Sequence, residues 1–285
     1  TNFSPAPSVQ LLDQYNNVVT TDSSSTVTAS IATSPGGSPS LTGASVTAVS
    51  GVATFPALQV HGAVGAYTIN LTKASITPAS FGVSITPGPV AAVQITTQPV
   101  AAAAAGAVMS TQPVARLNDA DGNLLTSSTA AVTVTPQAGG FVGPDGSNTA
   151  SVNAVGGIAT FSTLRFGGPV GVSKTLTFSS PGATSATSNV VTSSAVGEAY
   201  KLKVTTSPST PIASGAIFTT QPAVTRQDMG GNAVTGDPQY TTTVSSSGNG
   251  VLVGASTATS AAGVATFSGL GLSGTTGTTY TLTFA

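Results

Sequence analysis

This chain predicts an all-β fold, a set of tandem Greek-key β-sandwiches arranged as a rod, and three observations carry that prediction. Segments such as TVTASI at 26–31, YTINL at 67–71, AVTVT at 131–135, KTLTF at 174–178 and YTLTF at 280–284 alternate apolar with small polar residues. That period of two belongs to a strand with one buried face. Gly, Pro, Asn, Asp and Ser cluster between these segments, while Thr and Val dominate inside them. The third observation is repetition, because one fixed order of markers runs three times through the 285 residues.

The second and third copies open on QP-type leads, TTQPV at 96–100 with STQPV at 110–114, and TTSPS at 205–209 with TTQPA at 219–223. The first copy begins at its FSPAP segment. Next comes D-x-x-x-N-x-[VL]-T, as DQYNNVVT at 13–20, DADGNLLT at 119–126 and DMGGNAVT at 228–235. A bulky residue, one intervening position and a glycine follow: Leu41/Gly43, Phe141/Gly143 and Leu252/Gly254. G-[VI]-A-T-F then stands at 51–55, 157–161 and 263–267, a spacing of 106 residues both times, and a leucine trails each by three (Leu58, Leu164, Leu270). In GIATFSTL, Ala159 and Phe161 share a strand face and Leu164 does not. A bulge or the end of the strand must therefore intervene if all three are core. The run Ala101–Ala105 has high helix propensity. Its counterpart STPIASG does not, and prolines flank both, so the run is expected to be a loop or strand-switch segment.

About seven short strands in each 106-residue copy describe a Greek-key sandwich. The expected boundaries are 1–89, lacking its first strand; 90–195, complete; and 196–285, lacking its last strand. Such a frame is expected of an excerpt from a longer array. The alternative is completion of the end copies by strands added from neighbouring chains.

Composition excludes several classes. Charged residues are 5% against a usual value of roughly 25%. Apolar residues make up 40% and recur in order, so cores can be buried, built from Val, Ala, Leu and Phe in the absence of Trp. A net charge of −1 with seven scattered cations offers no footprint for nucleic acid. Zero cysteines exclude disulfides and thiolate metal sites. The longest apolar run, 100–109, falls short of the roughly 20 residues of a membrane span.

Apparent chemical motifs dissolve in context. GLGLSG at 269–274 fits G-x-G-x-x-G, but a dinucleotide loop must open a helix, and here a strand pattern follows. GPVGVSKT at 168–175 has Ser173 where a phosphate loop needs glycine, and it too runs into a strand. His61 is the single histidine, and the aligned positions hold Gly167 and Ser273, so a surface-loop role is expected. Three of the eight carboxylates are the repeated turn aspartates, which leaves little for acid–base catalysis. The chain is read as no enzyme and as needing no cofactor.

Asp119, Asp121 and Asn123 resemble the start of an EF-type calcium loop, yet the acidic twelfth position would be Ala130. Tyr15 and Gly230 stand where Asp121 does in the other copies. What all three copies share is Asp13/Asn17, Asp119/Asn123 and Asp228/Asn232. That frame suits a turn in which the Asp accepts backbone N–H bonds and an Asn or Gly takes a positive φ. A structural turn is therefore expected at these six residues, with weak calcium binding a lesser alternative for Asp119, Asp121 and Asn123 alone. Asn2-Phe3-Ser4 and Asn70-Leu71-Thr72 fit the N-glycosylation sequon, and the Ser/Thr-rich stretch 179–188 suits O-linked glycans.

With QP-V, D-x-x-GN-x-[VL]-T, [LF]-x-G and GVATF-x-x-L followed by YTLTF assembled, nearly the whole chain resembles the bacterial immunoglobulin-like repeats of long surface proteins, of which the invasin and intimin adhesins are members. The resemblance implies a prokaryotic cell-surface or extracellular location and a rod-like spacer role, with other copies or adjoining repeats as partners. It brings no catalytic residues. A stalk, sheath or self-assembling filament is the first functional expectation. An adhesin or carbohydrate- or receptor-binding module is the second, though five tyrosines and no Trp supply few aromatic platforms.

Overall fold

The computed structural model describes residues 3–137 and 140–285, and the sequon at Asn2 lies outside them. Among the described residues every regular element is a strand, so no helix follows either glycine-rich motif and none could cross a membrane. Gly271–Ser273 of GLGLSG is itself a strand. The protein is an all-β chain whose sheets enclose three separate hydrophobic cores.

The middle core shows the layout. Val114–Asn118 pairs with Ala92–Thr97 on one side and Ile158–Thr160 on the other. Across the core, Ala131–Pro136 lies between Ala150–Asn153 and Leu176–Ser179, and Ala186–Thr187 extends the edge. After Ala150–Asn153 the chain crosses to the opposite sheet as Ile158–Thr160, then returns beside Ala131–Pro136, a Greek-key connection. The alanine run resolves as a strand switch: Ala102–Ala104 leaves the sheet of Ala92–Thr97 and pairs in parallel with Val191–Ala195. Helix propensity yields here because the residues must satisfy their backbone groups at a sheet edge between two prolines.

Period-two alternation is visible in burial. Tyr67, Ile69 and Leu71 of Gly65–Thr72 point into the first core, and Leu176 and Phe178 into the second. Asn70 of the second sequon sits half-buried in a strand paired on both sides. In the third copy, Tyr280, Leu282 and Phe284 are only partly buried, and among the described residues Leu282–Phe284 pairs with Thr241–Ser246 alone. Among the described residues, Ser8–Gln10 of the first copy pairs with Val52–Thr54 alone, whereas its counterparts Val114–Asn118 and Ala223–Asp228 each have two neighbours.

The sequence markers turn out to be adjacent pieces of one device. Strand Ile158–Thr160 ends before Phe161, and the chain then curls so that Ala159, Phe161 and Leu164 all reach the core. Strand termination, with no bulge, thus reconciles the three positions. The N–H groups of Phe55, Phe161 and Phe267 donate to the carbonyls of Pro7, Pro113 and Pro222. In the later copies the glutamine before that proline clamps the curl. Gln112 Nε2 donates to Met109 O and Leu164 O while its Oε1 accepts from Leu164 N, and Gln221 repeats this with Phe218 and Leu270. The first copy has Ala6 there and lacks the clamp. The leading glycine of each GVATF is required by space as well as by conformation. At Gly157 (φ +76) a Cβ would lie 2.3 Å from Leu125 O, in the segment just after the D-x-x-x-N turn.

Candidate functional site

The six turn residues form three copies of one structure. Antiparallel bridges Leu12↔Val18, Asn118↔Leu124 and Gln227↔Ala233 close a corner at the same register each time. Within it the Asp carboxylate replaces missing strand partners. Asp119 Oδ1 accepts from the N–H of Asn123 at 2.8 Å and of Asp121 at 3.0 Å, and Oδ2 accepts from Asn123 Nδ2 at 3.0 Å. Asp13 receives Asn17 N at 2.9 Å and Tyr15 N at 2.8 Å, and Asp228 receives Asn232 N at 2.9 Å. The positive φ falls on the residue before the asparagine: Asn16, Gly122 and Gly231.

These corners also join one copy to the next. Asn123 Nδ2 donates to Gly62 O of the first copy at 3.0 Å, and its Oδ1 accepts from Val64 N at 3.1 Å. Asn232 does the same one copy later, donating to Gly168 O at 3.1 Å and accepting from Val170 N at 2.9 Å. An asparagine side chain carries a donor and an acceptor side by side, as a peptide group does, and so mimics a strand neighbour for the preceding loop. The Asp reaches back as well: Gly88 N donates to Asp119 Oδ2 at 3.0 Å, and Gly197 N donates to Asp228 Oδ2 at 2.9 Å. Each linker is thereby tied to the corner it precedes.

Burial follows from this use. Asp228 is 0% exposed and Asp119 6%, whereas Asp13 is exposed. Burial by itself raises the Asp119 carboxyl, but the Gly88 N–H, the Asn123 amide and the turn N–H groups outweigh it and hold it below the usual carboxylate range. Asp13 is lowered too, chiefly by the Asn17 N–H, then by the Asn17 amide and Tyr15 N–H.

Secondary contacts differ between the junctions. His61 Nδ1 lies 3.3 Å from Asp121 Oδ1, so the lone histidine faces the second copy. At the next junction Met229 lies over Gly106 and Gly146, and Tyr200 Oη donates to Asp145 O at 3.2 Å. Sequence reasoning missed Gly62, Val64, Gly168 and Val170, the loop half of the site. The signal was present: HGAVG at 61–65, GGPVG at 167–171 and SGTTG at 273–277 occupy equivalent positions after each GVATF.

Asp119, Asp121 and Asn123 do lie together, but Asp119 already accepts from four donor groups and Asp121 is turned toward His61. A cation would have to displace those donors. Adding millimolar calcium is expected to leave the melting temperature where it is, and a rise of several degrees in calorimetry would overturn the turn assignment.

The class defined by these features is a tandem array of β-sandwiches joined by side-chain-to-backbone clamps. No protein-family model matches the chain, and no curated protein matches it. Among solved structures it is similar to FdeC, an Escherichia coli adhesin, at 18% identity over 94% of this chain and 86% of that one, with a TM-score of 0.30. It is also similar to invasin, a bacterial integrin-binding protein, at 13% identity over 97% of this chain and 52% of that one, with a TM-score of 0.29. A β-glucuronidase from Parabacteroides merdae matches at 16% identity over 59% of this chain, with a TM-score of 0.26. The chain spans 21% of the length of that glucuronidase. At these values the likenesses carry no argument about activity.

Proposed function

We propose that this chain is a non-enzymatic structural segment of an extracellular, prokaryotic cell-surface repeat protein, contributing to a stalk, sheath or filament. In this reading residues 1–89, 90–195 and 196–285 are successive spacer units, and adjoining repeats are their principal partners. The observation that carries it is the identical asparagine clamp at both junctions. Independent modules on a flexible string have no need of a buried Asp that ties its linker down, because domain motion is the default when interfaces are small and polar. Sparse surface charge fits the same role, since neighbouring rods would repel little.

Tyrosine placement weighs against the binding-module alternative. Tyr67 and Tyr240 are buried in their cores, Tyr280 is half-buried, and Tyr200 is engaged at the second junction. That leaves Tyr15 as the one unengaged exposed tyrosine among the described residues.

The test is the double variant N123A/N232A, examined by small-angle X-ray scattering. Each substitution removes a donor–acceptor pair across a junction, about 1–3 kcal/mol of orientation energy, while leaving the cores untouched. The wild-type curve is expected to fit one elongated shape, and the variant only an ensemble of bent ones. Superimposable curves would sink the spacer reading.

A further inference from the structure

The chain has two methionines, and the fold treats them oppositely. Met109 is 2% exposed within the middle core. Met229 belongs to the third corner, between Asp228 and Gly230, and is half-buried at the second junction. There it lines an open cleft together with Val108, Pro144, Val196 and Tyr200. Ala120 holds the same place in the second corner and lines the corresponding cleft at the first junction, near Gly88. The cleft is thus a feature of the junction geometry, and the thioether is what the third corner adds to it.

Met229 is seated on the backbone of the second copy, and two glycines make the seat. A Cβ on Gly106 would lie 2.8 Å from Met229 Cβ and 3.7 Å from its Sδ, and one on Gly146 would lie 3.5 Å from its Cγ and 3.7 Å from its Sδ. The seat is itself held in place. Gly106 N donates to Phe166 O at 3.0 Å and Gly146 N to Gly143 O at 3.1 Å, while Tyr200 Oη ties the loop at Asp145 to the third copy. An unbranched thioether suits such an irregular gap, which it fills by apolar contact. Met229 also follows directly on Asp228, whose Oδ2 receives the linker N–H of Gly197. Whatever moves Met229 off its seat therefore acts on the clamp beside it.

We infer that Met229 is a modification site, taking an oxygen atom from a hydroperoxide to become methionine sulfoxide, and that this change loosens the second junction while the first stays closed. A lone pair of Sδ attacks one oxygen of hydrogen peroxide, forming the S–O bond as the O–O bond breaks. Two electrons pass from sulfur to the peroxide, the proton on the attacked oxygen goes to the leaving one, and water departs. The product is polar and chiral where the thioether was apolar and flexible, so it no longer matches a seat made of glycine Cα surfaces. Met109 is shielded from the same reagent by the core around it. The first junction has Ala120 in place of the sulfur and adds the contact of His61 with Asp121, so it lacks the switch. Methionine sulfoxide reductases reverse the step with a thiol as reductant. This release acts on the junctions of the spacer reading, whose own test, scattering from N123A/N232A, involves no oxidant.

The test treats the folded 285-residue chain with hydrogen peroxide and maps the added oxygen by peptide mass spectrometry. Met229 is expected to take it up while Met109 stays reduced. Hydrogen exchange on the oxidised chain should then show the Gly197 N–H exchanging about tenfold faster, as expected from losing roughly half the burial of a methionine. The Gly88 N–H, its counterpart at the first junction, should be unchanged. Met229→Leu keeps the apolar contact and has no sulfur, so its Gly197 exchange should match the untreated wild type before and after peroxide. Treating the oxidised wild type with the reductases should bring the slow exchange back. Oxidation of Met109 as fast as Met229, full conversion of Met229 with Gly197 exchange unmoved, or a peroxide response that persists in M229L would each overturn the inference.

Discussion

Replacing Phe161 by alanine is expected to unfold the middle sandwich selectively, at a cost of about 3–5 kcal/mol. Phe161 is 3% exposed and packs edge-on against Phe178, with ring centroids 5.6 Å apart and planes at 75°. It joins the two sheets, because it follows the end of Ile158–Thr160 while Phe178 lies in Leu176–Ser179 across the core. Truncation forfeits the transfer energy of the ring and leaves a cavity beside it. The core cannot collapse readily into that space, because the Gln112 clamp holds the curl at Leu164 and the Phe161 N–H is held by Pro113 O. Most single domains have a total stability of about 5–15 kcal/mol, so this loss is a large share. Urea unfolding should show one transition moved to much lower denaturant, and hydrogen exchange should localise it to 92–195. Phe161→Leu, which fills most of the space, should cost less than about 1.5 kcal/mol. Equal effects of the two substitutions would mean that Phe161 does not bridge the sheets.

The fold was legible because repetition and period two are properties of order along the chain. GVATF could be aligned by eye, and its alanine and phenylalanine are buried in all three copies: Ala53/Phe55, Ala159/Phe161 and Ala265/Phe267. The Asp–Asn frame was legible as a turn for the same reason. What lay beyond reach was its second partner. Asn123 and Gly62 are 61 residues apart, and the contact is made to a carbonyl that every residue type possesses, so the loop side leaves almost no imprint on composition. Glycine at 62, 168 and 274 is the trace it does leave, and it looks like any other turn glycine until the geometry is known. The role of His61 was hidden similarly: its match is with Asp121, present in one copy only, and repetition is blind to a contact that does not repeat. Ala6, standing where Gln112 and Gln221 clamp, shows the converse, a missing device that alignment of the three leads marks but cannot interpret.

Asp228→Ala is expected to destabilise the third sandwich by about 2–5 kcal/mol and to free its linker, a much larger effect than the same change at Asp13. Asp228 is fully buried, with Oδ1 accepting from Asn232 N at 2.9 Å and Oδ2 accepting from Gly197 N at 2.9 Å and Asn232 Nδ2 at 2.9 Å. Alanine removes every one of these acceptors and leaves the half-buried donors of Gly197 and Asn232 without the carboxylate that satisfies them, at about 1–3 kcal/mol for each buried group left unmade. The Asn232 amide, no longer held, would also lose its alignment on Gly168 and Val170, so corner and junction fail together. At Asp13 the same donors lie at the surface, and water replaces the carboxylate with little loss. The ranking Asp228 above Asp13 is therefore a statement about burial by the neighbouring copy, because the local turn is the same. Thermal unfolding gives the stability half of the comparison, and exchange of the Gly197 N–H gives the junction half. Indistinguishable losses for D228A and D13A would show that the aspartate serves only its own corner, and the junction would then have to be held by Asn232 alone.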